Sequence, residues 1–197
     1  KGVYHGNLLS LLNIYGLAGG VFFLCMFSLH GSLWLAIKST GSLQTRAVAS
    51  ATFLWPLMLV LLVVFLVLTA LDTKLYANYL AMPVLFALPL LALGGLVGTR
   101  VMLGAGKLWL AWACSAVFIL GVTFFGVAGM FPGMIISSID PAATVTAFNG
   151  ASSQLTLKIM LGVALVMVPI VLAYQFWLYK TFSAPVTHDD LKDEHAY

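Results

Sequence analysis

Five apolar runs, each long enough to cross a hydrocarbon layer of roughly 30 Å, leave this chain little choice of fold. They lie at about 10–37, 51–71, 80–103, 108–131 and 154–180. Inside a bilayer every backbone N–H and C=O must find its partner within the protein, so only helices and closed barrels can span it. Barrel strands alternate apolar and polar residues, and no such alternation runs through these segments. The expectation is an all-α integral membrane protein. Residues 1–182 form a bundle of about five transmembrane helices, and residues 183–197 form a polar tail.

Composition agrees with that reading. The chain is 62% hydrophobic and 8% charged, with a mean hydropathy of +1.06. A soluble domain carries about a quarter charged residues, so there is no room for a sizeable one. The net charge of +3 comes from basic residues scattered between the runs, an orientation signal that implies no nucleic-acid partner. Lys38, Arg46, Arg100, Lys107, Lys180 and Lys192 fall on one side of the bundle, and Lys1, Lys74 and Lys158 on the other. The richer side faces the cytoplasm by the positive-inside rule. That places the N-terminus outside and the C-terminus inside, with HDDLKDEHAY as a solvated cytoplasmic end. Cys25 and Cys114 sit within apolar runs at no metal or disulfide spacing, and read as small buried hydrophobes.

Packing signals are frequent. Gly16 with Gly20, and Gly94 with Gly98, make small-xxx-small patterns that bring helix backbones together, and Gly121, Gly126 and Gly129 add small positions to the fourth run. Pro56 is expected in the first turn of its helix, where a missing N–H costs little, while Pro89 and Pro169 are expected in helix interiors.

Groups able to do chemistry are few. His30 is the one ionisable residue well inside a run, about 12 Å from the Lys38 end at 1.5 Å per residue. An imidazole there suits a quinone contact or a haem environment. The plainer and preferred reading is a neutral histidine hydrogen-bonded between helices. Lys158 lies near the start of the fifth helix, where snorkelling explains it; a salt bridge to Asp140 in the preceding loop is the sharper alternative. Ser152 or Ser153 is the expected N-cap of that helix. Arg100 and Lys107 flank the Gly104-Ala105-Gly106 turn and read as cytoplasmic anchors. Trp34, Trp55, Trp109, Trp112 and Trp177 read as an interfacial belt. Metal-binding, phosphate-binding and nucleophile motifs are missing. No catalytic residue and no metal ligand is therefore assigned to this chain. A helical membrane transporter or channel component remains an alternative on architecture, although no mid-membrane carboxylate or polar stripe favours it.

The most specific pattern lies in Met130–Phe182. Met130-Phe131-Pro132, Ser137-Ser138, Asp140-Pro141, Asn149 to Ser153, Thr156-Leu157-Lys158-Ile159-Met160 and Val168 to Trp177 follow one another in fixed order. Together they resemble subunit II of cytochrome bd-type quinol oxidases. LLNIYGLAGG (11–20) and LHGSLWLAIKSTGSLQTRA (29–47) are similar to that family's first helix and loop beyond its midpoint. The resemblance implies the C-terminal part of the subunit, with four helices ahead of Lys1. It also implies an oxidoreductase complex in which a partner, subunit I, carries b-type and d-type haems, oxidises quinol and reduces dioxygen to water. This chain would bind none of those haems firmly and would support and shield the partner. A structurally held quinone or lipid, membrane lipids, quinol and a small single-helix accessory subunit complete the implied company. The setting would be a bacterial or archaeal cytoplasmic membrane.

Overall fold

The computed structural model describes residues 12–137 and 140–185. Most of the expected polar tail, the first residues of the first run and Lys1 lie outside the described residues. Among the described residues six α-helices occur: α1 (Ile14–Lys38), α2 (Gly41–Asp72), α3 (Tyr76–Ala81), α4 (Ala87–Gly104), α5 (Leu108–Met130) and α6 (Gln154–Thr181). Five segments are long and apolar enough to cross a membrane: α1, α2, Pro83–Gly104, α5 and α6. The chain is an all-α membrane bundle. It divides into two compact units, one reaching Gly129 and one from Met130 to Val186.

In the first unit α1 and α2 form a hairpin whose turn is tied from both sides. Lys38 ends α1, and Gly41 takes φ +66°, a left-handed conformation that glycine adopts without penalty. Ser39 Oγ donates to the Leu35 carbonyl (2.6 Å), and Gln44 Nε2 donates to the Ala36 carbonyl (2.9 Å). Two of the orphan carbonyls at the end of α1 are thereby satisfied. No residue between Ser42 and Ala51 breaks a helix, so α2 begins at Gly41, ten residues before the apolar run that marked it. Pro56 consequently lies deep inside α2, not in its first turn. Pro89 moves the other way. A 3-10 turn (Pro83–Phe86) precedes α4, which leaves Pro89 as the third residue of that helix and spares an interior hydrogen bond. Pro169 is interior to α6, as its run implied.

The α4–α5 turn is a Schellman motif. Gly106 N donates to Leu103 O (3.1 Å), Lys107 N donates to Met102 O (2.9 Å), and Gly106 has φ +70°. The short helix α3 closes the opposite end. Asn78 Nδ2 donates to the carbonyls of Ala128 (3.0 Å) and Gly129 (3.1 Å), and the fully buried Tyr79 donates to the Phe125 carbonyl (2.7 Å). Burial, with Tyr76 as a second influence, pushes the Tyr79 phenol above its ordinary pKa, which keeps it a donor.

The core of this unit is made by Phe22, Met26, Leu29 and Leu33 of α1 against Met58 and Leu62 of α2, Leu96 of α4 and Phe118 of α5. Glycine sets the α4–α5 spacing. A Cβ on Gly95 would lie 2.5 Å from the Phe118 nitrogen, and one on Gly121 would lie 2.6 Å from the Ala92 nitrogen. Each helix thus presses a glycine onto the other's backbone. Gly98 also faces Cys114, whereas Gly94, Gly20 and Gly126 meet nothing within 4 Å. The small-residue seam is therefore Ala92–Gly95–Gly98, one position away from the Gly94–Gly98 pattern.

The second unit holds a loop and α6. Gly133–Ile135 and Val145–Thr146 pair as a short antiparallel ladder, β1 and β2, that the sequence pattern did not foretell. Asn149 braces it, accepting from Thr146 N (2.6 Å) and donating to Thr144 O (2.9 Å). Ser153 is the N-cap of α6, its Oγ accepting from Thr156 N (3.3 Å). Within its unit α6 buries no residue. A helix that is apolar all round belongs in lipid or against other proteins.

The glycine seam can be tested by a matched pair. Gly95→Val drives a side chain into backbone and should lower the thermal stability of the detergent-solubilised protein by about 1–3 kcal/mol. Gly94→Ala, one residue away, should be neutral or stabilising by up to ~1 kcal/mol. Equal effects of the two would show that the seam is misplaced.

Candidate functional site

His30 faces α5 from the middle of α1 and is half-buried there. Its Nδ1 lies 2.7 Å from Ser115 Oγ, and Ser115 Oγ lies 2.7 Å from the Trp112 carbonyl one turn back on α5. A serine hydroxyl has one proton. Given to the Trp112 carbonyl, it leaves a lone pair for His30, so the imidazole carries its hydrogen on Nδ1 and donates it to Ser115. This tautomer follows from the network and is consistent throughout.

Aromatic rings surround the pair. Trp112 stacks on the imidazole with centroids 5.2 Å apart and 29° between planes. Trp34 approaches Trp112 at 5.3 Å, and Trp109 touches both indoles, at 5.9 Å to Trp34 and 6.1 Å to Trp112. Lys38 Nζ stands 5.1 Å over the Trp34 ring, a cation–π contact that closes the end of the cluster. Trp112 Nε1 is buried and has no hydrogen-bond partner. The tryptophans at the α1–α5 contact therefore pack on one another and on His30. Trp55 is not at a helix end: its Nε1 donates to the Leu96 carbonyl of α4 (2.8 Å), and Arg100 lies 5.8 Å over its ring. Arg100 is thus held at the α2–α4 contact.

Asp140 and Lys158 are not brought together. Asp140 Oδ1 accepts from Ala142 N (2.9 Å), and Asp140 N donates to Ser137 Oγ (3.1 Å). The carboxylate folds back on its own turn, the usual habit of an aspartate before proline, and no ion pair joins it to Lys158. Lys158 is exposed in the second turn of α6.

Comparison with known proteins gives this geometry its context. Residues 1–182 match the family model described as cytochrome bd terminal oxidase subunit II. The chain belongs to that family. It is 30% identical to the cytochrome bd-I ubiquinol oxidase subunit 2 of Escherichia coli (strain K12) over 218 residues, covering 96% of this chain and 57% of that protein. The cytochrome bd ubiquinol oxidase subunit 2 of Bacillus subtilis (strain 168) is 27% identical over 196 residues, covering 94% of this chain and 54% of that protein. A probable cytochrome oxidase subunit 2 of Haemophilus influenzae is 29% identical over 202 residues. The chain spans a little over half the length of these relatives.

A cytochrome family raises the question of whether these residues fit a haem. His30 offers one nitrogen as an axial ligand, but Trp112 covers a face of its ring and Ser115 fixes its edge. The apolar cavity at the centre of the unit has no His30 in its wall. Among the described residues no group of three or more His, Cys, Asp or Glu side chains comes together. The arrangement builds the imidazole into the α1–α5 contact through its Nδ1 and its stacked face.

Ser115 was invisible to sequence reasoning, because nothing local distinguishes it and 85 positions separate it from His30. Its loss should register directly. Ser115→Ala leaves the imidazole N–H unpaired and should cost about 1–3 kcal/mol of thermal stability. His30→Leu combined with Ser115→Ala should cost less than the sum of the single changes by about 1 kcal/mol. Additive losses in a double-mutant cycle would rule out the bond.

Proposed function

We propose that this chain is the non-haem-bearing subunit of a cytochrome bd-type terminal oxidase, a complex that oxidises quinol and reduces dioxygen to water. The observation that carries the reading is the family match over residues 1–182, supported by relatives named as ubiquinol oxidase subunit 2. The partner is the haem-bearing subunit I, whose b-type and d-type haems supply the electron transfer and the oxygen chemistry. Membrane lipids and quinol, a structurally held quinone or lipid, and a small single-helix accessory subunit are its further company. The setting is a bacterial cytoplasmic membrane, crossed several times with the N-terminus outside. The relatives lend no support to a transporter or channel.

The chain contributes by what it excludes. Close-packed apolar helices beside a redox centre keep water away and lower the local dielectric, which shifts potentials and proton affinities without any reactive side chain. Its polar groups serve structure. His30 pins α1 to α5, Arg100 braces α2 against α4, Asp140 shapes the loop before α6, and Lys158 anchors the start of that helix.

A complex purified through a tag on this chain should show the visible bands of b-type and d-type haem, and a colourless preparation would reject the oxidase reading. In the same complex His30→Gln should retain every haem band, with at most a modest loss of thermal stability. Disappearance of one band would make His30 a haem ligand. Orientation is checked with single cysteines: one at Lys107 should react with an impermeant thiol reagent only from the cytoplasmic side, and one at Lys74 only from outside.

A further inference from the structure

Where α1, α2, α4 and α5 meet, the first unit has an apolar cavity of about 40 Å³ that opens outward beside the exposed Leu93. Its wall is formed by Phe22, Phe65, Pro89, Ala92, Val122 and Phe125, with leucines filling the gaps, and no polar side chain reaches it. A water molecule needs about 10–15 Å³ of such space and two to four polar partners. This cavity offers the room without the partners, so it stays dry. Sites for rings and larger ligands run to roughly 300 Å³ and above, which excludes a quinone head group.

Dry voids normally shrink as neighbours lean in. Two features prevent that here. Tyr15, Phe65 and Phe22 stand as a flat stack, with centroids 5.4 and 5.0 Å apart and planes within 10° and 5°, so that side is a stiff plate. On the far side Gly121 already rests on the Ala92 backbone and Gly95 on that of Phe118, so α4 and α5 cannot close further. Ala92 belongs both to that contact and to the cavity wall, and its methyl is too short to fill the space.

We propose that this cavity binds one small apolar molecule dissolved in the membrane, of the size of a diatomic gas or a xenon atom. Such solutes partition into hydrocarbon, so the surrounding lipid delivers them through the open edge, and the apolar wall gains dispersion contacts when one enters. The assignment rests on the shape and chemistry of the cavity and is independent of the oxidase role.

The test is xenon pressure applied to crystals of the complex containing this chain, read by anomalous scattering. One peak in van der Waals contact with Phe22, Phe65 and Val122 is expected. Val122→Ile, and Leu93→Phe at a partly exposed edge of the wall, should lower its occupancy severalfold, and Leu66→Ala should raise it. Xenon found in other apolar sites but not here would overturn the proposal, and so would continuous acyl-chain density filling the space. Haem bands are unaffected by either outcome, so the two readings fail separately.

Discussion

A helix end inside or beside hydrocarbon has no water to complete its hydrogen bonds, and several polar residues of the first unit answer that constraint. The end of α1 is served by Ser39 and Gln44, that of α4 by the Schellman turn at Gly106, and that of α5 by Asn78 and Tyr79. Each device sits on the neighbouring element, except the Ser39 and Gly106 closures, which are local. Satisfying a carbonyl therefore also fixes how consecutive helices meet. Asn78 shows the coupling well, since two bonds from one side chain hold α3 onto α5 across 50 residues of sequence.

Beyond helix ends, hydrogen bonds between helices are few among the described residues (His30–Ser115, Trp55–Leu96, Tyr15–Thr69 and Cys25–Leu54), so much of the helix association rests on packing. Lipid tails are as apolar as leucine, so close approach of backbones has to supply the attraction. Gly95 and Gly121 provide it reciprocally, each placed over the other helix. On the α1–α2 side the Tyr15, Phe65 and Phe22 rings stack on one another between the two helices.

How much of this was legible in the sequence depends on the range of the cause. Apolar run length is local, and all five long apolar helices could be read from it, while the cap of α6 was narrowed to Ser152 or Ser153 and is Ser153. Helix starts were misjudged where the chain stayed helical without being apolar. The α2 extension to Gly41 turned Pro56 into an interior residue, and the 3-10 turn before α4 turned Pro89 into a first-turn residue. Which glycine of a pair faces a neighbour depends on helix rotation, which a motif does not encode. Gly95 faces α5 and Gly94 does not, though both fit a small-residue pattern. His30 stood out because it is ionisable in an apolar run. Its serine partner and its tryptophan neighbours arise from a contact between distant helices, and no local signal announces them.

The two units divide the labour differently. In the first, polar side chains are spent inward on helix ends and helix contacts, which leaves a surface of Leu, Val and Phe. In the second, the loop hydrogen-bonds to itself through Asp140, Thr146 and Asn149, and α6 is apolar on every face. Both therefore present largely apolar outward surfaces, with Lys158 and the polar loop as the exceptions in the second unit. On the proposed reading that is the useful property. Beside a redox centre, an unpaired polar group would admit water or fix a stray charge, and at an effective dielectric near 4 a unit charge 4 Å away acts with up to about 20 kcal/mol as an upper bound. A partner surface whose hydrogen bonds are already closed on themselves leaves the electrostatics of the haem site to the subunit that holds the haems.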